Sequence, residues 1–182
     1  MFLRLLQESD LSLRVKWMNN PEVYPFMGFT PPISLENTQR WYSNNVGCNR
    51  RKDFVLADSN GEPLAMCGLT NIDYTVRKGE LYLFVNPERK KQGLGKLSSY
   101  LLCKYAFDVL QLNKVFLYTN GSNIAAQKTY ENIGFKLEGR MREERIVHGK
   151  YEDRLYYGLL SSEFDFSKFE LAFIGDSSLI NN

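Results

Sequence analysis

The sequence predicts a mixed α+β domain in which a central, mostly antiparallel sheet is flanked by helices. Short apolar runs broken by turn residues fill residues 54–85, which reads as an antiparallel meander. Helical and strand-like spacings then alternate through residues 94–135, giving β-α-β-α order. The composition, 43% hydrophobic and 24% charged over 182 residues, is that of a globular chain. A chain of this length is one domain by default, burying roughly 70% of its unfolded surface.

Residues 2–6 form a first strand, after which Ser9 or Asp10 can cap a helix carrying Leu11, Leu13, Val15 and Trp17. Asn19-Asn20-Pro21 closes it, because proline cannot continue a helix. Residues 24–33 are aromatic and rich in Pro and Gly, so a loop is expected, and Ser34 then caps a second helix through Trp41 and Tyr42. Phe54 to Ala57 and Leu64 to Ile72 are strands about an Asn60-Gly61 turn, whose residues tolerate positive φ. Glu80 to Val85 is the next strand. Leu94, Leu97, Leu101 and Tyr105 mark a helix, Val115 to Tyr118 a strand, and Asn123 to Ile133 another helix. Two last strands, 135–147 and 151–160, meet at His148-Gly149-Lys150. The predicted order is β-α-α-β-β-β-α-β-α-β-β. The domain is placed at residues 1–160. The tail, 161–182, holds Phe164, Phe166, Phe169 and Phe173, and is expected to pack on the domain or on a second subunit, which leaves room for a homodimer.

Charge and cysteine usage narrow the function. With 23 basic against 21 acidic side chains there is no global field for nucleic acid or a membrane surface. Cys48, Cys67 and Cys103 are an odd number without C-x-x-C spacing, and His148 is the one histidine, which argues against a disulfide framework and a zinc site. No apolar run reaches the roughly 18 residues of a membrane span, and the N-terminus lacks an apolar signal region. A reducing, cytoplasmic setting is expected.

The segment from Val85 to Lys96, VNPERKKQGLGK, runs from a strand end into a helix start. Glycines there let a ligand approach the backbone, and the unpaired N–H groups of a first helical turn attract anions. Lys90, Lys91 and Lys96 add positive charge, so the turn could cradle a pyrophosphate. It is neither a Walker loop nor a dinucleotide fingerprint, since position 98 is serine, and G-x-G alone fits an ordinary helix start equally well.

The segment nevertheless resembles the acetyl-CoA signature of the GNAT superfamily, Q/R-x-x-G-x-G/A, with Lys90 where Gln or Arg is usual. Downstream, NIAAQKTYENIGF from Asn123 to Phe135 is similar to the second signature, N-x-x-A-x-x-x-Y-x-x-x-G-F. The resemblance spans about residues 2–160. It implies a sheet splayed between its fourth and fifth strands, with acetyl-CoA as cosubstrate in the gap. Lys90, Lys91, Gln92, Gly93, Leu94, Gly95 and Lys96 would hold its phosphates, and Phe84, Val85 and Asn123 its pantetheine arm.

Direct acyl transfer to an amine needs a neutral amine, a donor for the oxyanion and a proton for the leaving thiolate. The resemblance gives the oxyanion to the Val85 N–H and makes Tyr130 the general acid; the competing reading of Tyr130 is a core aromatic in line with Ala126 and Ile133. Asn123 is a helix cap in one reading, and a cap that also binds the donor in the other. Glu80 is read either as general base or as a solvated strand-end charge, and His148 as an exposed turn residue.

WMNNPEV at Trp17 to Val23 and HGKYED at His148 to Asp153 resemble a narrower branch. It includes ribosomal-protein N-terminal, spermidine and nucleotide amino-sugar N-acetyltransferases. Aromatic loops and basic side chains favour an amine on a nucleotide-linked sugar as the small-molecule acceptor. A polyamine or a protein N-terminus is the alternative. A non-catalytic acyl-CoA-binding module is the second alternative.

Overall fold

The computed structural model describes residues 1–89 and 92–167. Seven strands, β1 (Phe2–Leu5), β2 (Lys52–Ala57), β3 (Pro63–Asp73), β4 (Lys78–Val85), β5 (Lys114–Asn120), β6 (Lys136–Val147) and β7 (Lys150–Leu160), form one sheet in the order β1-β2-β3-β4-β5-β7-β6. Every neighbouring pair is antiparallel except β4 and β5. Those two run parallel and pair only at Lys78–Lys114, Gly79–Val115 and Glu80–Phe116. Beyond Glu80 they part, leaving the rest of β4 without a neighbour on that side.

Helices cover both faces. α4 (Leu94–Asp108) and α5 (Ile124–Ile133) pack on one, around Phe54, Leu69, Leu102, Val115 and Leu159, all fully or almost fully buried. α1 (Leu11–Met18) and α3 (Leu35–Asn45) pack on the other, where Leu11, Trp17, Val55, Met66 and Phe84 form a second core. Each such side chain contributes roughly 1.5–3 kcal/mol by leaving water. No helix among the described residues is long and apolar enough to cross a membrane. The three cysteines are free.

Ser34 caps α3 as expected, accepting the N–H of Asn37 at 3.1 Å. Asp10 precedes α1 but does not cap it. Its carboxylate is instead bound by both ends of the Arg4 guanidinium, at 2.7 and 2.8 Å, and by the Gln7 N–H. The expected loop over residues 24–33 contains a further helical turn, α2 (Tyr24–Met27). Pro25 fits a first turn because the N–H it lacks would be unpaired there, and Gly28, at φ +72°, closes the turn. Asn19 then pins the chain's return, exchanging two 2.8 Å hydrogen bonds with the backbone of Ile33. In the tail, Phe164 is buried against Tyr100 and Phe107, with ring centroids 4.8 and 5.3 Å apart. Phe169 and Phe173 lie outside the described residues.

Candidate active site

The gap left by β5 is the start of the site. The Asn86 N–H donates to the Leu64 carbonyl of β3 at 2.9 Å. Backbone groups alternate sides along an antiparallel strand, so the N–H of Val85, and that of Leu83, point away from β3 into the gap. Side chains alternate too. Leu83 and Val85 pack toward α4, whereas Phe84 is buried in the opposite core.

The N-terminus of α4 closes one end of the gap. Gly93 adopts φ +72° before the first helical residue, and its carbonyl accepts the first helical bond, from the Leu97 N–H at 3.0 Å. The N–H groups of Leu94, Gly95 and Lys96 therefore have no partner within the helix, with the positive end of the helix dipole behind them. Among the described residues nothing stands within 4 Å of where a Cβ on Gly93 would be, so phosphates have room there. Together these groups line a cleft of about 490 Å³ with Val85, Gln92, Asn123 and Tyr130. That volume is within the usual range for a small-molecule site.

Asn123 caps α5, its Oδ1 accepting the Ala126 N–H at 3.2 Å. Two turns further along, Tyr130 is nearly buried, its ring edge-on to Phe135 at 5.8 Å. Burial pushes its phenol up to about 12, with the Cys103 thiol acting in the same direction, so the group stays protonated through neutral pH.

Tyr130 also lines a smaller cavity of about 100 Å³, together with Glu80, Tyr118, Asn120, Arg145 and Arg154. Phe26 of α2 and Leu83 border both cavities. The Glu80 carboxylate is held by Asn71, whose Nδ2 donates to Oε2 at 2.6 Å. Asn71 reaches it because β3 bulges there, with φ +49°. The Asn120 amide Nδ2 is buried without a partner among the described residues. The arrangement can hold a thioester along β4, with a protonated phenol at its reacting end and a carboxylate across the second cavity.

Of the residues singled out by sequence, Tyr130, Val85, Gln92, Gly93, Leu94, Gly95, Lys96 and Asn123 meet in the cleft and Glu80 in the adjoining cavity. Phe84, expected to pair with the donor through its main chain, is placed elsewhere, with its N–H on the β3 side of the strand. Its side chain faces α1, and its register partner is Met66. Lys90 and Lys91 lie outside the described residues. His148 is exposed in the two-residue β6–β7 turn. Sequence reasoning missed Asn120, while Phe26 and Arg89 lie in segments it picked out, the aromatic loop over residues 24–33 and the turn from Val85 to Lys96, without being singled out themselves. Tyr118, Arg145 and Arg154 are brought in by long-range pairing, including a bulge in β6 between Met141 and Arg145.

The pattern of the acetyltransferase (GNAT) domain matches residues 1–136. The chain therefore belongs to the GNAT acetyltransferase family, an enzyme family whose acetyl donor is acetyl-CoA, and the cleft along β4 fits that donor. A crystal structure of spermidine N-acetyltransferase from Vibrio cholerae, in complex with CoA and spermine, superposes with a TM-score of 0.85 at 27% identity, covering 88% of this chain and 95% of that one. YdaF of Bacillus subtilis, whose name proposes a ribosomal substrate, is 32% identical over 91% of this chain and 94% of its own length. Acetyltransferase PseH of Campylobacter jejuni is 26% identical over 72% of this chain and 80% of its own.

Proposed function

We propose that the chain transfers the acetyl group of acetyl-CoA directly to the primary amine of a small molecule within a ternary complex. The observation that carries this reading is that Tyr130 borders both the β4 cleft and the cavity holding Glu80. A thioester lying along β4 then presents its carbonyl near the Val85 N–H, while the amine arrives from the Glu80 side. Glu80, directly or through water, removes the amine proton as the bond to carbon forms. The tetrahedral oxyanion is held by the Val85 N–H, and Tyr130 protonates the departing thiolate.

For the acceptor, similarity to spermidine N-acetyltransferases supports a polyamine as the first reading. The lining of the cavity favours a second reading. Arg145 and Arg154 stand opposite one carboxylate, and Arg154 stacks 3.9 Å above the Tyr118 ring. This suits an amine that also carries an anionic group, as an amine-bearing sugar nucleotide does.

The test is thiol release with acetyl-CoA and a panel of spermidine, a nucleotide-linked amino sugar and a ribosomal N-terminal peptide. The highest kcat/KM identifies the class. Binding of acetyl-CoA without turnover of any amine would leave only an acyl-CoA-binding module. A homo-oligomer, as in the dodecameric structure of the Vibrio cholerae enzyme, is checked by light scattering. A cytoplasmic location accords with three free thiols.

A further inference from the structure

A third cavity, of about 330 Å³, opens between α1 and α3. It shares no lining residue with the two cavities of the candidate active site. Its lining includes Arg14, only 4% exposed. The Arg14 Cζ lies 4.7 Å from the ring centroid of Trp41, 5.2 Å from Phe84 and 5.8 Å from Tyr82. Aromatic faces attract the cation but leave its N–H groups without oxygen acceptors. The guanidinium's one hydrogen-bond contact among the described residues is Nη1 to the Sδ of Met66, at 4.0 Å. Its Nε is buried with no partner among the described residues.

The carboxylate that shares Tyr82 with Arg14 is already engaged. Asp53 accepts Nε and Nη2 of Arg51 at 2.7 and 3.0 Å, and the Tyr82 hydroxyl as well. Two guanidinium groups, Arg14 and Arg51, thus flank Trp41, and the carboxylate of Asp53 is bound to Arg51. One positive charge is left over, desolvated and short of acceptors, which is a costly arrangement unless an anion completes it.

We infer that this cavity binds a small organic carboxylate. The oxyanion would meet the guanidinium of Arg14 in the two-pronged geometry the pair favours, and an apolar body would rest on Met18, Phe29 and Ile33. A polyamine would be repelled by the same charge.

Benzoate is the probe, measured by calorimetry and thermal shift on the full chain, with benzamide and benzylamine as neutral and cationic controls. Saturable benzoate binding is expected with acetyl-CoA absent or saturating, and none with either control. Asn37→Asp, an exposed position on the cavity wall in the first turn of α3, adds a negative charge without touching the core and should weaken benzoate several-fold. Arg14→Met should abolish it while the stabilisation by acetyl-CoA persists. Displacement of benzoate by acetyl-CoA would place it in the reaction cleft and overturn the inference. So would equal binding of benzamide, or unchanged affinity in Asn37→Asp. Should Arg14→Met fail to fold, the Asn37→Asp and control-ligand results still decide.

Discussion

Tyr130 carries a proton whose usefulness depends on where it sits, because burial that raises a phenol's pKa also raises that of a thiolate formed beside it. Tyr130→Phe keeps the ring packed on Phe135 and should lower kcat and kcat/KM together by about 10²- to 10⁴-fold, with acetyl-CoA affinity unchanged. A purely structural ring would give almost no loss in the same steady-state assay. Since the phenol is held at about 12, kcat should show no alkaline decline below pH ~10. Glu80→Gln should be most impaired at acidic pH, where the amine is protonated, and recover as pH approaches the amine's pKa; a pH-independent ratio to wild type near one would remove Glu80 as base. Tyr157, buried and donating to Glu131 at 2.9 Å, is also pushed up to about 12, chiefly by burial. A phenol whose folded pKa exceeds its unfolded value near 10 adds stability below about pH 10 that fades as pH rises toward 12. Tyr157→Phe should therefore flatten the fall in denaturation midpoint over that window.

The turn before α4 and the cap of α5 make separable contributions at the level of elements. A side chain at Gly93, φ +72°, costs about 1–2 kcal/mol through left-handed strain, and Gly93→Val should also lose the thermal shift given by acetyl-CoA. Asn123→Ser retains a capping oxygen and should melt normally, whereas Asn123→Ala should lose about 1 kcal/mol. If the Asn123 amide also binds the donor, both variants will weaken acetyl-CoA in calorimetry. These two elements were legible in sequence because their chemistry is local: glycine, asparagine and helical spacing declare themselves within a dozen residues. α2 was hidden by Pro25, which reads as a breaker yet suits a first turn. The face chosen by Phe84 followed from strand parity, set by pairing with β3. Arg145 and Arg154 were visible as charges in a hairpin, but their place opposite Glu80 depends on strand order and on a bulge.

For the molecule as a whole, the tail is part of the fold at least as far as Phe164. Phe164→Ala should cost about 3–5 kcal/mol, read from chemical denaturation, because it empties a site walled by Tyr100 and Phe107. Acetyl-CoA at a hundred times its Kd should add about 2.7 kcal/mol of stability, seen as a raised Tm. The sequence foresaw a sheet splayed between its fourth and fifth strands through family resemblance alone, since nothing local announces that a parallel pair stops after three residues. That short ladder makes the molecule two half-sheets stitched at one end of a seam. The amides of Leu83 and Val85, facing the open part, should take up deuterium quickly in the free protein, while those of Phe84 and Asn86, facing β3, stay protected. A donor lying in the seam as a missing strand should slow exchange at the first pair and leave the second unchanged, so that substrate binding would register as stiffening along one edge of one strand.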